Sequence, residues 1–257
     1  MQINTEGIVL RQSKAVGGKK VVTLLTKKYG KIAVGTTVAH KSKTKSALAL
    51  SPFTLGNYQL FKNRGYYNMD SAEAIKSYFA IGEDVGKYMY SSYALELLDR
   101  LLPEEMSMSS IFTLTVNFFE AMEKRKSGYE TLLLALEIKL LRKLGIFPRV
   151  EKCTCCERTD NLEFFSIEDG GVICSFCKVN KQDRLIYDAN FGMIDIIKYF
   201  DKKPFKEFEK LNLKEETASK LQKVIKDYIA FHFDLREMKS ETLLNIAVDN
   251  KSDDKSQ

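Results

Sequence analysis

The sequence predicts a multidomain α+β protein: a small basic β-barrel, then an α-helical domain interrupted by a four-cysteine insertion. Three observations predict it. Residues 1–80 carry short apolar, β-branched runs of strand length between turn signals. After Gly82 the apolar residues recur at helical spacing. Two cysteine pairs, Cys153-x-x-Cys156 and Cys174-x-x-Cys177, fall between the helical stretches.

The strands come first. Runs at 3–10, 21–26 and 32–38 are separated by Gly17-Gly18 and Tyr29-Gly30, and a further pair, 53–61 and 66–75, is joined by Asn63-Arg64-Gly65. Five strands with a basic loop between the third and fourth suit an OB-fold-like barrel; an SH3-like barrel gives much the same pattern. Helices follow. Val85, Met89, Tyr93, Leu97 and Leu101 share a face, and Pro103 ends the run. Stretches 111–126 and 129–144 make two more, the latter apolar on several faces and so expected at the centre of a bundle. Helices resume at about 189–200 and 214–235, with a short one near 241–248. The expected domains are 1–80, a helical domain split into 81–149 and 181–248, the cysteine module at 150–180, and a disordered polar tail at 249–257.

Seventeen residues separate the cysteine pairs, a spacing that reads as a Cys₄ zinc site. Four thiolates leave no open coordination position, so one structural Zn²⁺ is expected rather than a catalytic one. A disulfide pair, a redox Cys-x-x-Cys and four unrelated buried thiols are the alternatives. Cys155 is expected to be a spectator.

The net charge of +6 hides an asymmetry: residues 1–80 hold 13 Lys+Arg against three acids. Cations gathered on one domain are the footprint of a phosphate-backbone binder, against the alternative of a solvated lysine-rich surface. The loop His40-Lys41-Ser42-Lys43-Thr44-Lys45 alternates lysines with small hydroxyl residues and suits a phosphate track without base readout. Arg11, Lys14, Lys19, Lys20, Lys27, Lys28, Lys31 and Arg64 extend it. Phe53 is expected in the core; Tyr58, Phe61, Tyr66 and Tyr67 are divided between core and base-stacking roles.

No phosphate-loop, H-E-x-x-H or G-x-S-x-G motif occurs, and neither His40 nor His232 has a sequence neighbour for nucleophilic catalysis. A non-enzymatic protein is expected. No export signal or membrane span is read from the chain, and metal-type cysteines point to a reducing cytoplasm.

The order of parts resembles the RecO family of bacterial DNA repair and recombination mediators. The resemblance is carried by Gly7-Ile-Val-Leu-Arg11, Val22-Thr-Leu-Leu-Thr26 with Tyr29-Gly30-Lys31, and Ser51-Pro52-Phe53. It continues through Glu96-Leu-Leu-Asp-Arg-Leu-Leu-Pro103, Leu140-Leu-Arg-Lys-Leu-Gly145, the cysteine pairs and Lys239-Ser240. It implies an OB-fold, binding of single- and double-stranded DNA, annealing of complementary strands, and a place in the RecFOR pathway near the nucleoid. It also implies association with RecR, work on DNA coated by single-strand binding protein (SSB), and, through these, loading of RecA. The chain departs from the pattern in its lysine-rich loop with Ala47 and Ala49, in Glu157 where a glycine often closes the cysteine knuckle, and in the extra Cys155. The acidic, aromatic-ended SSB tail needs an apolar pocket with a cationic rim, and Lys139, Arg142 and Lys143 beside Leu140 and Leu144 are the expected rim. The same cations also suit the wet edge and C-terminal dipole of a bundle helix. The alternatives to this function are an RNA-binding or transcription-associated protein and, more distantly, a metal-dependent nuclease.

Overall fold

The computed structural model describes residues 1–14, 20–36, 45–181, 185–208, 210–235, 237–242 and 244, without the side chains of Lys14 and Lys45. Its described part is mixed α+β, with the large sheet at the N-terminal end and the long helices after it. The five expected strands form: β1 (Gln2–Lys14), β2 (Lys20–Thr26), β3 (Gly30–Thr36), β4 (Thr54–Asn63) and β5 (Tyr66–Ser77). They close into a barrel in the order β1-β2-β3-β5-β4. All pairings are antiparallel except β3 with β5, where Val34 lies against Tyr67.

β1 makes closure feasible because it serves two neighbours. Its first half, Gln2–Ile8, pairs with β4, and Gly7–Lys14 pairs with β2 across a bulge between Val9 and Arg11. The extra residue increases the local bend. Alternate residues then point inward, so Val22, Leu24, Ile32, Val34, Tyr58 and Leu60 fill the interior. Tyr58 lies over Gly7 and Gly56, where a Cβ would stand 3.2 Å and 3.1 Å from its ring. Its hydroxyl donates to Ala49 O at 2.6 Å, and burial pushes the phenol up. Ala49 belongs to a helical turn, α1 (Lys45–Ala49), in the segment expected as loop.

The chain divides into two compact units, residues 1–125 with 237–257, and residues 126–236. In the first, α2 (Phe79–Gly82), α3 (Val85–Leu101) and α4 (Ser109–Lys124) join the barrel. Asp84 caps α3 by accepting the Lys87 N–H at 2.9 Å. Phe53 is buried as expected, but its ring meets Tyr88 and Phe119 on the helices rather than the barrel interior cluster.

The C-terminal residues return to α3. Residues 239–242 are helical, and the Glu96 carboxylate accepts the N–H groups of Lys239 at 3.1 Å and Ser240 at 2.8 Å. Most of the expected 241–248 helix, and the whole 249–257 tail, lie outside the described residues. Burial of Glu96 opposes its ionisation, but those N–H donors and Arg100 outweigh it and hold the carboxyl below its ordinary value of 4.5. A depressed folded pKa contributes stability that is present above the unfolded value and is lost as pH falls through the folded one. Glu96→Ala is therefore expected to cost about 1–2 kcal/mol at neutral pH. Urea midpoints for the two proteins should converge as pH falls below the ordinary carboxylate range.

In the second unit, α5 (Tyr129–Lys143) is buried all round: Leu132, Leu133, Leu134, Ala135, Leu136, Ile138, Leu140 and Leu141 expose nothing. It packs against α7 (Met193–Lys202) and α8 (Glu215–Phe233). Glu137, also fully buried, accepts the Gln222 amide of α8 at 3.1 Å and 3.0 Å. Between α5 and α7 the cysteine segment folds as a three-stranded sheet, β6 (Phe164–Ser166), β7 (Gly171–Ile173) and β8 (Ile186–Asp188), in the order β7-β6-β8, with a turn of helix, α6 (Ser175–Lys178). A 3₁₀ turn at Phe205–Phe208 links α7 towards α8. Among the described residues no helix is long and apolar enough to cross a membrane.

Candidate metal centre and nucleic-acid interface

Backbone pairing brings the two cysteine turns together. Arg149 N–H donates to Gly170 O and Val172 N–H donates to Arg149 O, both at 2.9 Å. The approach needs glycine at 171, since a Cβ there would lie 2.2 Å from Arg149 O. This register sets Cys153, four residues on, beside Cys174 at the end of β7. Thr154 N–H bonds Val172 O at 2.9 Å and Cys174 N–H points to Cys153 Sγ at 3.4 Å. Cys174 then starts α6, whose turn carries Cys177 round to the same side.

The four sulfurs lie within 4.8 Å of one another, with Cys153 and Cys174 buried. A tetrahedral shell with Zn–S near 2.3 Å separates its sulfurs by about 3.8 Å. Cys156 and Cys174 are 3.7 Å apart. The donor set therefore fits a thiolate-loving cation such as zinc. Burial opposes ionisation of Cys153, yet the backbone N–H groups of Cys174, Cys156 and Cys155 overcome it and pull the thiol down to about 6. Hydrogen bonding to Cys156 and Cys174 pushes the Cys177 thiol up. Four adjacent thiolates cannot all ionise without a cation between them, and a divalent ion removes that conflict. Cys155 is exposed, stands outside the four-sulfur cluster, and has Thr154 Oγ1 at 3.9 Å.

Glu157 closes the first knuckle with φ 63°, a left-handed conformation that glycine adopts without strain. Its N–H donates to Cys153 O at 3.0 Å, and its carboxylate pairs with Lys152 and with Arg149 at 3.4 Å.

The described basic residues of the barrel fall at more than one place on it. Lys14 and Lys20 are register partners across β1 and β2, at the end from which segments 15–19 and 37–44 leave. Lys27 and Lys28 are exposed at the opposite end of β2, about 20 Å away by strand rise, with Lys27 on Glu6 at 2.9 Å. Arg11 is exposed but bonds Asp99 at 2.8 Å. Lys31 departs from expectation: it is buried, donates to Asp99 O, and lies 3.9 Å from the Asp99 carboxylate, so its charge is held inside the unit. Arg64 is exposed at the β4–β5 turn with φ 48°. Lys19, His40, Lys41 and Lys43 lie outside the described residues, and of Lys45 only the backbone, opening α1, lies within them.

Alternation sorts the aromatics. Tyr58 and Tyr67 point inward and are buried, whereas Phe61 and Tyr66 point out, 49% and 76% exposed. Two cations of the expected rim on α5 are engaged within their own unit. Leu140 is wholly buried, Lys139 donates to Asp201 O at 3.1 Å, and Arg142 grips the Asp201 carboxylate with two bonds of 3.0 and 2.8 Å while stacking 3.4 Å from the Phe147 ring centre. Lys143 is exposed beside them. No local signal marks Asp99, Asp201 or Glu96 as partners, because each lies far along the chain from the group that it holds.

Known proteins are similar to this chain in sequence. Residues 1–78 match the family model for the recombination protein O N terminal, and residues 82–242 that for the recombination protein O C terminal. DNA repair protein RecO of Alkaliphilus metalliredigens is 31% identical over 235 residues, spanning 91% of this chain and 95% of that one. The proteins of the same name from Caldanaerobacter subterraneus and Thermoanaerobacter sp. are each 28% identical, spanning 91% and 95% of this chain and 94% and 97% of their own.

Proposed function

The chain belongs to the recombination protein O family, and from that premise we propose that it serves DNA repair and recombination by binding DNA and annealing complementary single strands. One observation carries the reading: a closed barrel in the order β1-β2-β3-β5-β4 coincides with the segment that concentrates the positive charge. The parallel β3–β5 pairing supports an OB-fold, whose β2–β3 face and β1–β2 and β4–β5 loops are the usual oligonucleotide surface. Lys20 of β2 and Arg64 of the β4–β5 turn belong to those elements, Phe61 and Tyr66 lie on the strands that the turn joins, and all four are accessible to solvent. Cations on phosphate fix the strand, and outward rings offer platforms that accept any base.

The mechanism requires no covalent chemistry. Two strands repel through their phosphates; Lys and Arg side chains neutralise part of that charge and displace condensed counterions. Holding both strands on one protein turns their encounter into a local search. We read the protein as non-enzymatic on this basis. Zinc, where bound, supplies a structural crosslink through Cys153, Cys156, Cys174 and Cys177. RecR and the acidic SSB tail are the proposed protein partners, with RecA loading downstream, in the cytoplasm at the nucleoid. The commitment of Lys139 and Arg142 to Asp201 favours receiving surfaces other than α5.

Replacing Lys41, Lys43 and Lys45 together with alanine is expected to weaken binding to every DNA sequence alike. Each phosphate left unneutralised should also take about 0.7 off the log–log salt slope on single strands. Anisotropy titrations across salt concentrations measure it, and an unchanged slope would make the loop a solvated surface only.

A further inference from the structure

The second cysteine turn reads Cys174-Ser175-Phe176-Cys177, with a large aromatic between two metal ligands. Phe176 is 58% exposed, and its neighbour Val179 is 84% exposed. Apolar side chains elsewhere in the module are used internally: Ile173 is buried with Cys153 and Cys174, and Leu162, Phe164 and Ile186 pack against them. An exposed ring held by a ligand turn therefore has no internal packing to explain it.

Its surroundings are cationic. The Arg158 guanidinium, from the residue after the first knuckle, lies 4.8 Å from the centre of the Phe176 ring. Lys178 follows Cys177 directly. Arg149 and Lys152 pair with Glu157, and Lys181 pairs with Asp169. Among the described residues neither Arg158 nor Lys178 holds such a partner.

We propose that the zinc module is a second contact for single-stranded DNA, in which an unpaired base stacks on the Phe176–Arg158 pair while Lys178 meets a flanking phosphate. The module offers a flat ring and a planar guanidinium, both exposed to solvent. A peptide side chain needs a pocket to become buried, whereas a nucleobase needs only a π-face. Duplex DNA keeps its bases stacked inside, so this contact selects unpaired strands. It also gives annealing a second place to hold a strand. The inference rests on the DNA-binding reading given above.

The test titrates one fluorescent oligonucleotide, single-stranded and as duplex, into the full zinc-loaded chain. Phe176→Ala is expected to weaken single-strand binding about tenfold, the scale of one base–aromatic stack, and to leave duplex binding unchanged. Phe176→Trp should restore it. Zinc content checks the fold of each variant; if Phe176→Ala loses metal, the exposed Arg158→Ala decides, with several-fold weaker single-strand binding expected. Unchanged single-strand affinity in Phe176→Ala and Arg158→Ala, while the triple lysine variant loses affinity, would overturn the proposal and leave the barrel reading standing; a peptide-docking face would give that result. Equal losses on single strands and duplex would overturn it too. A wild-type chain without DNA affinity would overturn both readings.

Discussion

Cys174→Ser is expected to lose the metal and to open residues 150–181, whereas Cys155→Ser keeps one zinc and the native fold. The contrast follows from position. Cys174 is buried at the junction of β7 and α6, its N–H points to Cys153 Sγ, and its own sulfur is 3.7 Å from that of Cys156. Cys155 is exposed and stands outside the cluster of four sulfurs. Around the sulfurs themselves the strands are three residues long and the buried cluster is only Cys153, Ile173 and Cys174, too little to hold the two cysteine turns together unaided. Structural zinc contributes about 10–16 kcal/mol of apparent binding energy in small metal-folded modules, so its loss outweighs what remains. Elemental analysis with limited proteolysis decides it. One zinc per chain in the wild type and in Cys155→Ser, none in Cys174→Ser, with new cleavage confined to the module, is the expected result. A metal-free wild type with five freely reactive thiols would contradict it.

The second large effect concerns the start of β3. Gly30 adopts φ +69°, and a Cβ built there would stand 1.8 Å from Met106 O and 2.6 Å from Met106 C. Both collisions are with backbone, which cannot rotate away as a side chain can. Glu105 N–H also bonds Lys31 O at 2.9 Å, which ties the 104–106 segment to this strand. Gly30→Ala must strain φ and push that segment off the barrel, at an expected cost of about 3 kcal/mol or more. Gly65 is the internal control. It has φ +85° with nothing within 4 Å of its Cβ position, so Gly65→Ala should cost only the left-handed strain, about 1 kcal/mol. Equal urea midpoints for the two variants would mean that the 104–106 segment yields freely.

The strands were legible because two-residue alternation and turn pairs such as Tyr29-Gly30 are local signals, and β1 to β5 fall within a few residues of their expected bounds. The all-round apolar helix at 129–144 was legible for the same reason, and its position against α7 and α8 follows from having no polar face. The metal cluster was legible as spacing alone. The β6–β8 sheet was not, since three-residue strands are too short to show a period. Nor were the partners of the cations. Lys31 looks like any other lysine in a basic run, and only folding brings it to Asp99, 68 residues away. Arg142 finds Asp201 across 59 residues in the same manner, which gives a cation of the expected docking rim a partner within its own unit. Alternation implied that some aromatics face outward, but only the register showed that Phe61 and Tyr66 are the outward pair.

Strand annealing is the decisive measurement for this protein. Two complementary oligonucleotides, each coated with SSB, are mixed with the wild-type chain without nucleotide, and duplex formation is followed by fluorescence quenching. The chain is expected to accelerate annealing without ATP, and rising salt to suppress the acceleration, because charge neutralisation at phosphates carries it. Annealing no faster than with SSB alone, at a salt concentration where the chain binds both strands, would contradict it.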